Sequence, residues 1–322
     1  MPTPRESGTL RKLPVTVWPT AQQVARTQRR GRYIPESTAH PAKMLPAIAA
    51  HAITAFTTPG DLVADPMCGI GTTLVEAVHQ ERDAIGVEYE QRWVDVAQAN
   101  LALAAQSGAT GTAHVLHGDA RHTLTRLAGA YTARVGLLVT SPPYGASLHG
   151  QTAASGGVQK RDYRYSHDRG NLAHRSLPTL LHGFTDILIA ALPLLRPGGI
   201  VAITTRPFRH DGELIDFPSL TLDAAINAGL EPVQRCIALL AGVRDGRLVP
   251  RTSFFQLDYI RKLRAHGVPA RAIAHEDVLV LRRPPMPSSP AASQRHPLSS
   301  ADTSIGERVA VVAGGASEGW AA

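Results

Sequence analysis

The fold predicted for this chain rests on the stretch Leu62-Val63-Ala64-Asp65-Pro66-Met67-Cys68-Gly69-Ile70-Gly71-Thr72-Thr73. It begins with a short apolar run that ends in an acid, continues through a glycine turn, and leads into a helical pattern from about residue 72 to residue 80. Glycines let a backbone approach a ligand closely, and a helix start offers free N–H groups. The spacing is neither GxGxxG nor GxxxxGKS/T, which excludes a dinucleotide fingerprint and a P-loop. The stretch therefore predicts a strand, turn and helix that face a ligand of another kind.

Strand and helix patterns alternate on both sides of this stretch. Besides 62–65, the sequence predicts strands at 84–88, 115–119, 135–139, 200–204, 233–240 and 277–281, the last two as an antiparallel pair. It predicts helices at about 41–56, 90–105, 178–195 and 219–229. Such alternation indicates an α/β protein with a Rossmann-like, doubly wound, mostly parallel sheet of seven strands, and ligands at the carboxyl ends of the strands.

Three of these strands end in an acid, at Asp65, Glu88 and Asp119. An acid after the first strand disfavours a pyrophosphate there and favours a cationic or amino-bearing ligand. Glu88 is placed to accept hydrogen bonds from ribose hydroxyls, and Asp119 from an adenine amino group. An adenosine with a positive, amino-acid-like tail, such as S-adenosyl-L-methionine, fits this description. The alternative for Asp119 is that it caps a turn.

The strand predicted at 135–139 runs into Thr140-Ser141-Pro142-Pro143-Tyr144. The two prolines fix two φ angles and lack N–H groups, so the turn is stiff and its carbonyl groups are available as acceptors. A hydroxyl before this turn and an aromatic ring after it suit an extruded nucleobase. The alternative is a structural turn with a tyrosine packed beside it.

Composition narrows the class of protein. The 322 residues are 43% hydrophobic and carry a formal net charge of +7, which suits a polyanionic partner. The two cysteines, Cys68 and Cys236, lack metal-ligand spacing, so neither a metal site nor a disulfide framework is expected. No apolar run long enough for a bilayer and no signal peptide is apparent, so a cytoplasmic protein without a membrane partner is predicted.

The sequence divides into three parts, and the middle part contains two candidate nucleic-acid-binding surfaces. We predict a basic arm at 1–35, solvated or in contact with phosphates, a catalytic domain at 36–283, and a disordered Pro/Ser/Ala/Gly-rich tail at 284–322. A loop at 145–177 interleaves cations and aromatic rings, which suits phosphate contacts and stacking; its candidate residues are Lys160, Arg161, Arg164, Tyr165, Arg169 and Arg175. The alternative is a lid with solvated charges. The second candidate surface is the basic segment 242–272.

The segments 65–73 and 140–144 together resemble the amino-group DNA methyltransferases, which modify cytosine N4 or adenine N6. The segments 40–44 and 275–282 are also similar to that family, so the resemblance covers roughly residues 38–283. It implies a class I methyltransferase fold, S-adenosyl-L-methionine as cofactor and double-stranded DNA as partner, with a cognate restriction enzyme or accessory subunit as a further possible partner. A serine before Pro-Pro-Tyr favours cytosine N4, and adenine N6 remains the alternative. An RNA amino-methyltransferase and a silent DNA-binding module are rival interpretations.

The resemblance also implies roles for individual residues. The cofactor-binding set is Lys43, Asp65, Pro66, Cys68, Gly69, Gly71, Thr72, Glu88, Asp119 and Thr140. The catalytic set is Ser141, Pro142, Pro143 and Tyr144. Tyr144 would stack on a flipped base, while Ser141 Oγ and the Pro142 carbonyl would accept hydrogen bonds from its amino group. Direct transfer of this kind needs no covalent enzyme intermediate.

Overall fold

A computed structural model of the protein describes residues 14–144, 168, 170–210, 212–252 and 254–285. Eight strands form its main sheet: β1 (Val17–Trp18), β2 (Leu62–Asp65), β3 (Asp83–Glu88), β4 (Ala113–His117), β5 (Val135–Thr140), β6 (Leu195–Thr205), β9 (Glu231–Leu239) and β12 (His275–Arg282). Two small hairpins supply the remaining strands: β7 (Phe208–His210) with β8 (Glu213–Ile215), and β10 (Ala241–Arg244) with β11 (Arg247–Pro250).

The strand order of the main sheet is β1-β9-β12-β6-β5-β2-β3-β4. Neighbouring strands are parallel except for β12, which lies antiparallel between β6 and β9. The predicted Rossmann-like α/β fold and the final antiparallel pair are thus confirmed. The sheet has eight strands rather than seven, because β1 adds an edge strand. Two residues are too few to show the alternation by which a strand is recognised in sequence.

Helices cover both faces of this sheet. They are α1 (Ala25–Arg29), α2 (Pro46–Phe56), α3 (Thr72–Val78), α4 (Gln91–Gln106), α5 (Ala120–Tyr131), α6 (Leu177–Ala191), α7 (Phe217–Asn227) and α8 (Phe254–Ala265). On one face the sheet packs with α5, α6 and α7, and on the other with α2 and α3. Strand β5 shows the division: Leu138 belongs to the first cluster and Leu137 to the second. A strand buried on both faces is a continuous apolar run, as its sequence shows.

Several element boundaries differ from those predicted. Helix α2 begins at Pro46 rather than residue 41, because a proline at the first helical position supplies a pre-set φ and lacks only an N–H that would be unpaired. Strand β4 ends at His117, and Asp119 is the N-cap of α5, a helix that the sequence did not predict. Strand β6 starts at Leu195, so α6 ends earlier than expected.

The amino-terminal segment packs on the domain from residue 17 onward, although the sequence assigns it to a basic arm. Trp18 is 2% exposed and stacks on His51 with ring centroids 4.2 Å apart. Tyr33 Oη donates a 2.7 Å hydrogen bond to Glu76 Oε1, and Arg32 forms a 2.8 Å ion pair with the same carboxylate. Residues 14–35 therefore contribute to the folded unit where the structure describes them. Residues 286–322, most of the predicted tail, lie outside the described residues.

The span Leu177–Leu194, which is α6 and the turn after it, meets the length and hydropathy of a membrane-crossing helix. Its side chains Phe184, Ile187 and Leu188 lie in the hydrophobic core between sheet and helices. Core packing therefore accounts for its apolar composition.

Candidate active site

A cavity of about 480 Å³ lies at the edge where the parallel strands end. It is lined by most of the predicted site residues: Lys43, Asp65, Pro66, Cys68, Gly69, Thr72, Glu88, Asp119, Ser141, Pro142, Pro143 and Tyr144. Two predicted residues do not line it. Gly71, with φ of 78°, is the N-cap of α3 and faces Ala97, and Thr140 is fully buried at the end of β5. Both residues lie in elements that carry the cavity's lining residues, at the start of α3 and at the end of β5.

Asp65 lies buried at the end of β2, at the base of the cavity. Its Oδ2 accepts a 2.6 Å hydrogen bond from Thr73 Oγ1, and its Oδ1 accepts one of 3.1 Å from the Met67 N–H. Burial raises the pKa of this carboxyl to about 6, against the lowering effect of its hydrogen bonds. Among the described residues, no cationic side chain contributes to this pKa.

Glu88, at the end of β3, is likewise buried. Its Oε2 accepts from the Gly69 N–H at 2.8 Å, and its Oε1 from the Glu90 N–H at 2.9 Å. Burial, with a smaller contribution from the charges of Glu90 and Asp65, raises its pKa to about 7 against the lowering effect of its two hydrogen bonds. Each oxygen can accept a second hydrogen bond, so Glu88 can hold a ligand hydroxyl while it also fixes the glycine turn.

Three backbone N–H groups of the glycine turn are used within the protein. Cys68 N–H donates to Val87 O at 2.9 Å, Gly69 N–H to Glu88, and Gly71 N–H to Cys68 O at 2.8 Å. The binding of a ligand by the backbone of these residues stays a prediction. With these three donors taken, the turn presents acceptors beside two buried acids. That arrangement suits a cation and disfavours a phosphate.

Gly69 has a further reason to be a glycine. Its φ is 53°, and a Cβ there would lie 3.1 Å from His40 Nε2. The His40 ring is itself buried against Trp93, with centroids 4.6 Å apart. Burial lowers the pKa of His40 to about 3, with the charge of Lys43 as the next cause, so the ring is neutral. The segment 40–44 therefore forms a wall behind the glycine turn.

Lys43 lines the cavity with its ammonium directed at backbone carbonyls, His40 O at 2.5 Å and Thr38 O at 3.1 Å. Burial lowers its pKa to about 8.

Asp119 is also engaged within the protein. Its Oδ1 accepts from the Arg121 N–H at 3.0 Å, and its Oδ2 pairs with the Arg121 guanidinium at 2.5 Å. The capping role considered from sequence is thus present, and Asp119 nevertheless reaches the cavity.

The Ser-Pro-Pro-Tyr turn forms the opposite wall. Among the described residues the Ser141 hydroxyl has no hydrogen-bond partner, and it lines the cavity. The Tyr144 ring packs against Phe217 and Phe208 with centroids 5.2 and 5.9 Å away, and the Arg206 guanidinium lies 5.7 Å from its centroid. Burial raises the pKa of Tyr144, so its hydroxyl stays protonated. The ring is held by other aromatic rings and aimed at the cavity.

The lining residues that were not identified as site residues from sequence include Tyr89, Arg121, Asn171, Arg206 and Glu276. Asn171 Nδ2 donates a 2.6 Å hydrogen bond to Glu90 Oε1, and Tyr89 Oη donates one of 2.7 Å to Asp168 Oδ2. These bonds hold the segment before α6 against the end of β3. The sequence could have indicated Arg206, since this residue lies two positions after the strand predicted at 200–204.

Of the predicted nucleic-acid-binding residues, only Arg175 is described, and it is exposed and outside the cavity. The predicted residues Lys160, Arg161, Arg164, Tyr165 and Arg169 lie outside the described residues. The second predicted surface, 242–272, corresponds to the β10–β11 hairpin and α8. Within the described ranges, no group of three or more His, Cys, Asp or Glu side chains is placed to hold a metal ion.

The DNA methylase family of the N6/N4 type matches residues 5–99, which include Asp65 and Glu88. The type II methyltransferase M.ScaI of Streptomyces caespitosus is 31% identical over 111 residues, 33% of this chain and 36% of that protein. These matches support the predicted resemblance of this chain to the amino-group DNA methyltransferase family. The chain thus aligns with about a third of the length of this curated relative. The match of the DNA methylase family ends before the Ser-Pro-Pro-Tyr turn.

Solved structures with a related fold include TrmN from Thermus thermophilus, 20% identical, which covers 80% of this chain and 53% of its own at a TM-score of 0.45. A putative RNA methyltransferase from Pyrococcus horikoshii is 13% identical and covers 81% of this chain and 96% of its own at a TM-score of 0.44.

Proposed function

We propose that this protein is an S-adenosyl-L-methionine-dependent DNA methyltransferase that acts on an exocyclic amino group, with cytosine N4 as the preferred target. One observation carries the proposal: a single cavity joins the buried acids at the ends of β2 and β3 to the Ser-Pro-Pro-Tyr turn. The family match in the cofactor half of the chain supports the same assignment.

The cofactor half of the cavity fits an adenosine with a cationic tail. Asp65 and the carbonyl groups of the glycine turn accept hydrogen bonds from the ammonium of the tail, because the N–H groups of that turn are already used. Glu88 accepts from the ribose hydroxyls. Asp119 and Arg121 flank the adenine. Bound there, S-adenosyl-L-methionine supplies an electrophilic methyl group.

The target half of the cavity positions the nucleophile. Ser141 Oγ and the Pro142 carbonyl accept hydrogen bonds from the two amino protons, which keeps the nitrogen lone pair aimed at the methyl carbon. The stiff Pro-Pro turn holds both acceptors without loss of entropy during the reaction. Tyr144, supported by Phe208 and Phe217, offers its ring to the base. Rate enhancement then comes from orientation rather than from a covalent intermediate.

The choice of cytosine N4 over adenine N6 rests on the serine at position 141. In the family that these motifs resemble, a serine before Pro-Pro-Tyr favours cytosine N4, and its hydroxyl can accept one of the amino protons. Adenine N6 remains the second candidate target, since the exocyclic amino groups of both bases present the same two donors.

The decisive experiment is methyl transfer from labelled S-adenosyl-L-methionine to genomic DNA and, separately, to total RNA, followed by digestion and mass identification of the modified nucleoside. We expect N4-methyl-2′-deoxycytidine from DNA and no label in RNA. N6-methyladenine would correct the target base, label in RNA alone would correct the substrate, and no label in either would refute the enzyme assignment.

Replacement of the cavity hydroxyl tests the proposed mechanism. We expect Ser141→Ala to lower turnover by roughly 10²-fold, the usual loss for one positioned hydrogen bond to a reacting group, with cofactor affinity unchanged. Single-turnover transfer and calorimetric cofactor binding measure the two effects. Ser107→Ala, an exposed serine after α4, is the matched control. Full turnover in Ser141→Ala would remove this serine from the mechanism.

A further inference from the structure

A second cavity, of about 240 Å³, lies beside the first. It is lined by Arg206, Leu240, Arg251, Thr252, Gln256 and Ile273. Leu240 follows β9, Arg206 follows β6 and Ile273 precedes the antiparallel β12, so this cavity opens on the same edge of the sheet as the active-site cavity. Arg206 lines both cavities.

The charged groups that line this second cavity are hydrogen-bond donors. Two guanidinium groups line it, and none of its lining residues is an acid. The Thr252 hydroxyl is buried and, within the described part of the chain, has no hydrogen-bond partner. Gln256 lies in the first turn of α8, so the positive end of that helix points toward the same space. A buried hydroxyl without a partner costs stability, which is offset when a ligand accepts its proton.

Arg251 is fixed in place before any ligand arrives. Its backbone N–H donates to Leu240 O at 2.9 Å, and its Nη2 donates to Gln22 O at 3.2 Å. Nη1 makes no hydrogen bond to the residues that the structure describes. A guanidinium held on one side by backbone carbonyls presents its other side as a rigid donor, which suits an anion such as phosphate.

Arg206 links this cavity to the catalytic turn. It lies over the Tyr144 ring on one side, where Glu276 also faces it, and lines the donor-rich cavity on the other. A nucleotide turned out of a duplex keeps its phosphates attached to its sugar, so those phosphates must lie next to the pocket that takes the base. The second cavity is the donor-lined space adjacent to that pocket.

We infer that the second cavity seats a backbone phosphate of the DNA strand that carries the target base. Arg251, Thr252 and Arg206 donate to the phosphate oxygens, and Arg206 thereby ties the phosphate to the position of Tyr144. This inference rests on the proposed function for the identity of the strand. The chemistry it names, a phosphodiester, differs from that of the cofactor.

The test uses the full-length protein and a fluorescein-labelled mixed-sequence duplex titrated across a potassium chloride series. Loss of one phosphate contact lowers the slope of log affinity against log salt by about 0.9. We expect Arg251→Gln to show this smaller slope and weaker binding at low salt. We expect Thr252→Val to weaken binding roughly three- to tenfold with an unchanged slope, since it removes a neutral donor. Arg134→Gln, an exposed arginine before the start of β5 at the opposite edge of the sheet, is the matched control and keeps wild-type binding.

Thr252→Val is the variant in which misfolding is not expected. The Thr252 hydroxyl makes no hydrogen bond to the described residues, and its removal leaves the hydrogen bonds of Arg251 unchanged. Wild-type affinity and slope in both variants would overturn the inference. Tight binding of inorganic phosphate that Arg251→Gln abolishes, with the duplex slope unchanged, would assign the cavity to free phosphate and overturn it as well. Methyl transfer separates this inference from the proposed function. Label in DNA with unaffected variants refutes only the phosphate seat, and altered slopes without any label refute only the enzyme assignment.

Discussion

Two carboxyl groups, Asp65 and Glu88, are buried in one cavity with pKa values raised to about 6 and about 7. Burial is the main cause for each. The charge of Asp65 also raises the pKa of Glu88, and the charges of both acids raise the pKa of the Cys68 thiol. No cation of the described protein compensates them directly. Ionised acids of this kind are stabilised by a positive ligand, which here is the ammonium of the proposed cofactor.

The cofactor affinity should therefore depend on pH. The proposed cofactor binds the ionised form of both acids, with its ammonium at Asp65 and its ribose hydroxyls at Glu88. Its affinity is therefore expected to rise as pH increases from about 5.5 to 7.5 and to level off above that range, with protons released on binding at pH 6. Calorimetry in buffers of different ionisation enthalpy measures the released protons. Affinity that is constant over this range would contradict the proposed role of both acids.

Neutralising one of these acids should stabilise the ligand-free protein. Because the folded-state pKa of Asp65 lies above its usual value of 3.8, its penalty is absent at low pH and grows as pH rises toward about 6. We expect Asp65→Asn to raise the free energy of unfolding at pH 7.5 by about 1–3 kcal/mol, reduced by any loss at its hydrogen bonds, while cofactor binding falls. Urea unfolding measures the change, and Asp95→Asn on the exposed side of α4 is the control. Lower stability of Asp65→Asn would show that its hydrogen bonds outweigh its burial.

At the scale of elements, the turn between β2 and α3 is held by contacts from three other parts of the chain. Glu88 binds it from β3, His40 packs against Gly69, and Asn100 reaches it from α4. Asn100 is fully buried; its Nδ2 donates to Ile70 O at 2.9 Å and its Oδ1 accepts from the Ile34 N–H at 2.8 Å. One amide thus joins the amino-terminal segment to the turn.

Removal of the Asn100 amide should destabilise the amino-terminal segment and the turn between β2 and α3. We expect Asn100→Ala to lower the free energy of unfolding by about 2–4 kcal/mol, because it leaves a buried N–H and a buried carbonyl without partners. We also expect weaker cofactor binding, since the turn is no longer held at Ile70. Chemical denaturation and calorimetry measure the two effects. Asn227→Ala, exposed at the end of α7, should change neither by more than about 0.5 kcal/mol.

At the scale of the whole molecule, the first strand closes the far edge of the sheet. Strand β1 pairs in parallel with β9, with Trp18 opposite Ala238, more than two hundred residues later in the chain. Trp18 fills the cluster under α2, and Thr20 Oγ1 donates to Leu239 O at 2.9 Å. The segment that is rich in arginine is therefore part of the domain, and two of its arginines, Arg29 and Arg32, are used in internal contacts.

Truncation of this tryptophan tests that arrangement. We expect Trp18→Ala to destabilise the protein by about 3–5 kcal/mol, as is usual for a large buried aromatic side chain. Val17→Ala is the control in the same strand, since Val17 is 45% exposed and its loss should cost under about 1 kcal/mol. Thermal and chemical denaturation measure both. A small loss in Trp18→Ala would mean that β1 is not needed for the core.

The local pattern was enough to predict the α/β class, the strands from β2 to β5, and the place of the acids and of the Ser-Pro-Pro-Tyr turn. Strand β5 is a continuous apolar run because both faces are covered, and Asp65 and Ser141 follow directly where neighbouring strands stop. Parallel strands bring their carboxyl ends to one edge, so a site at that edge follows from the order of elements alone. These features depend on residues close together in sequence.

Only the tertiary structure decided how that site is completed. Three contacts depend on how distant parts of the chain are brought together. Glu88 accepts from the Gly69 N–H, His40 fills the space behind Gly69, and Arg206 lies over the Tyr144 ring. The same holds for the pairing of β1 with β9. Sequence periodicity records which face of an element is buried, but it carries no information on which distant residue meets it there. The hydrogen bonds that the Cys68, Gly69 and Gly71 N–H groups make within the protein were therefore not predictable from the sequence.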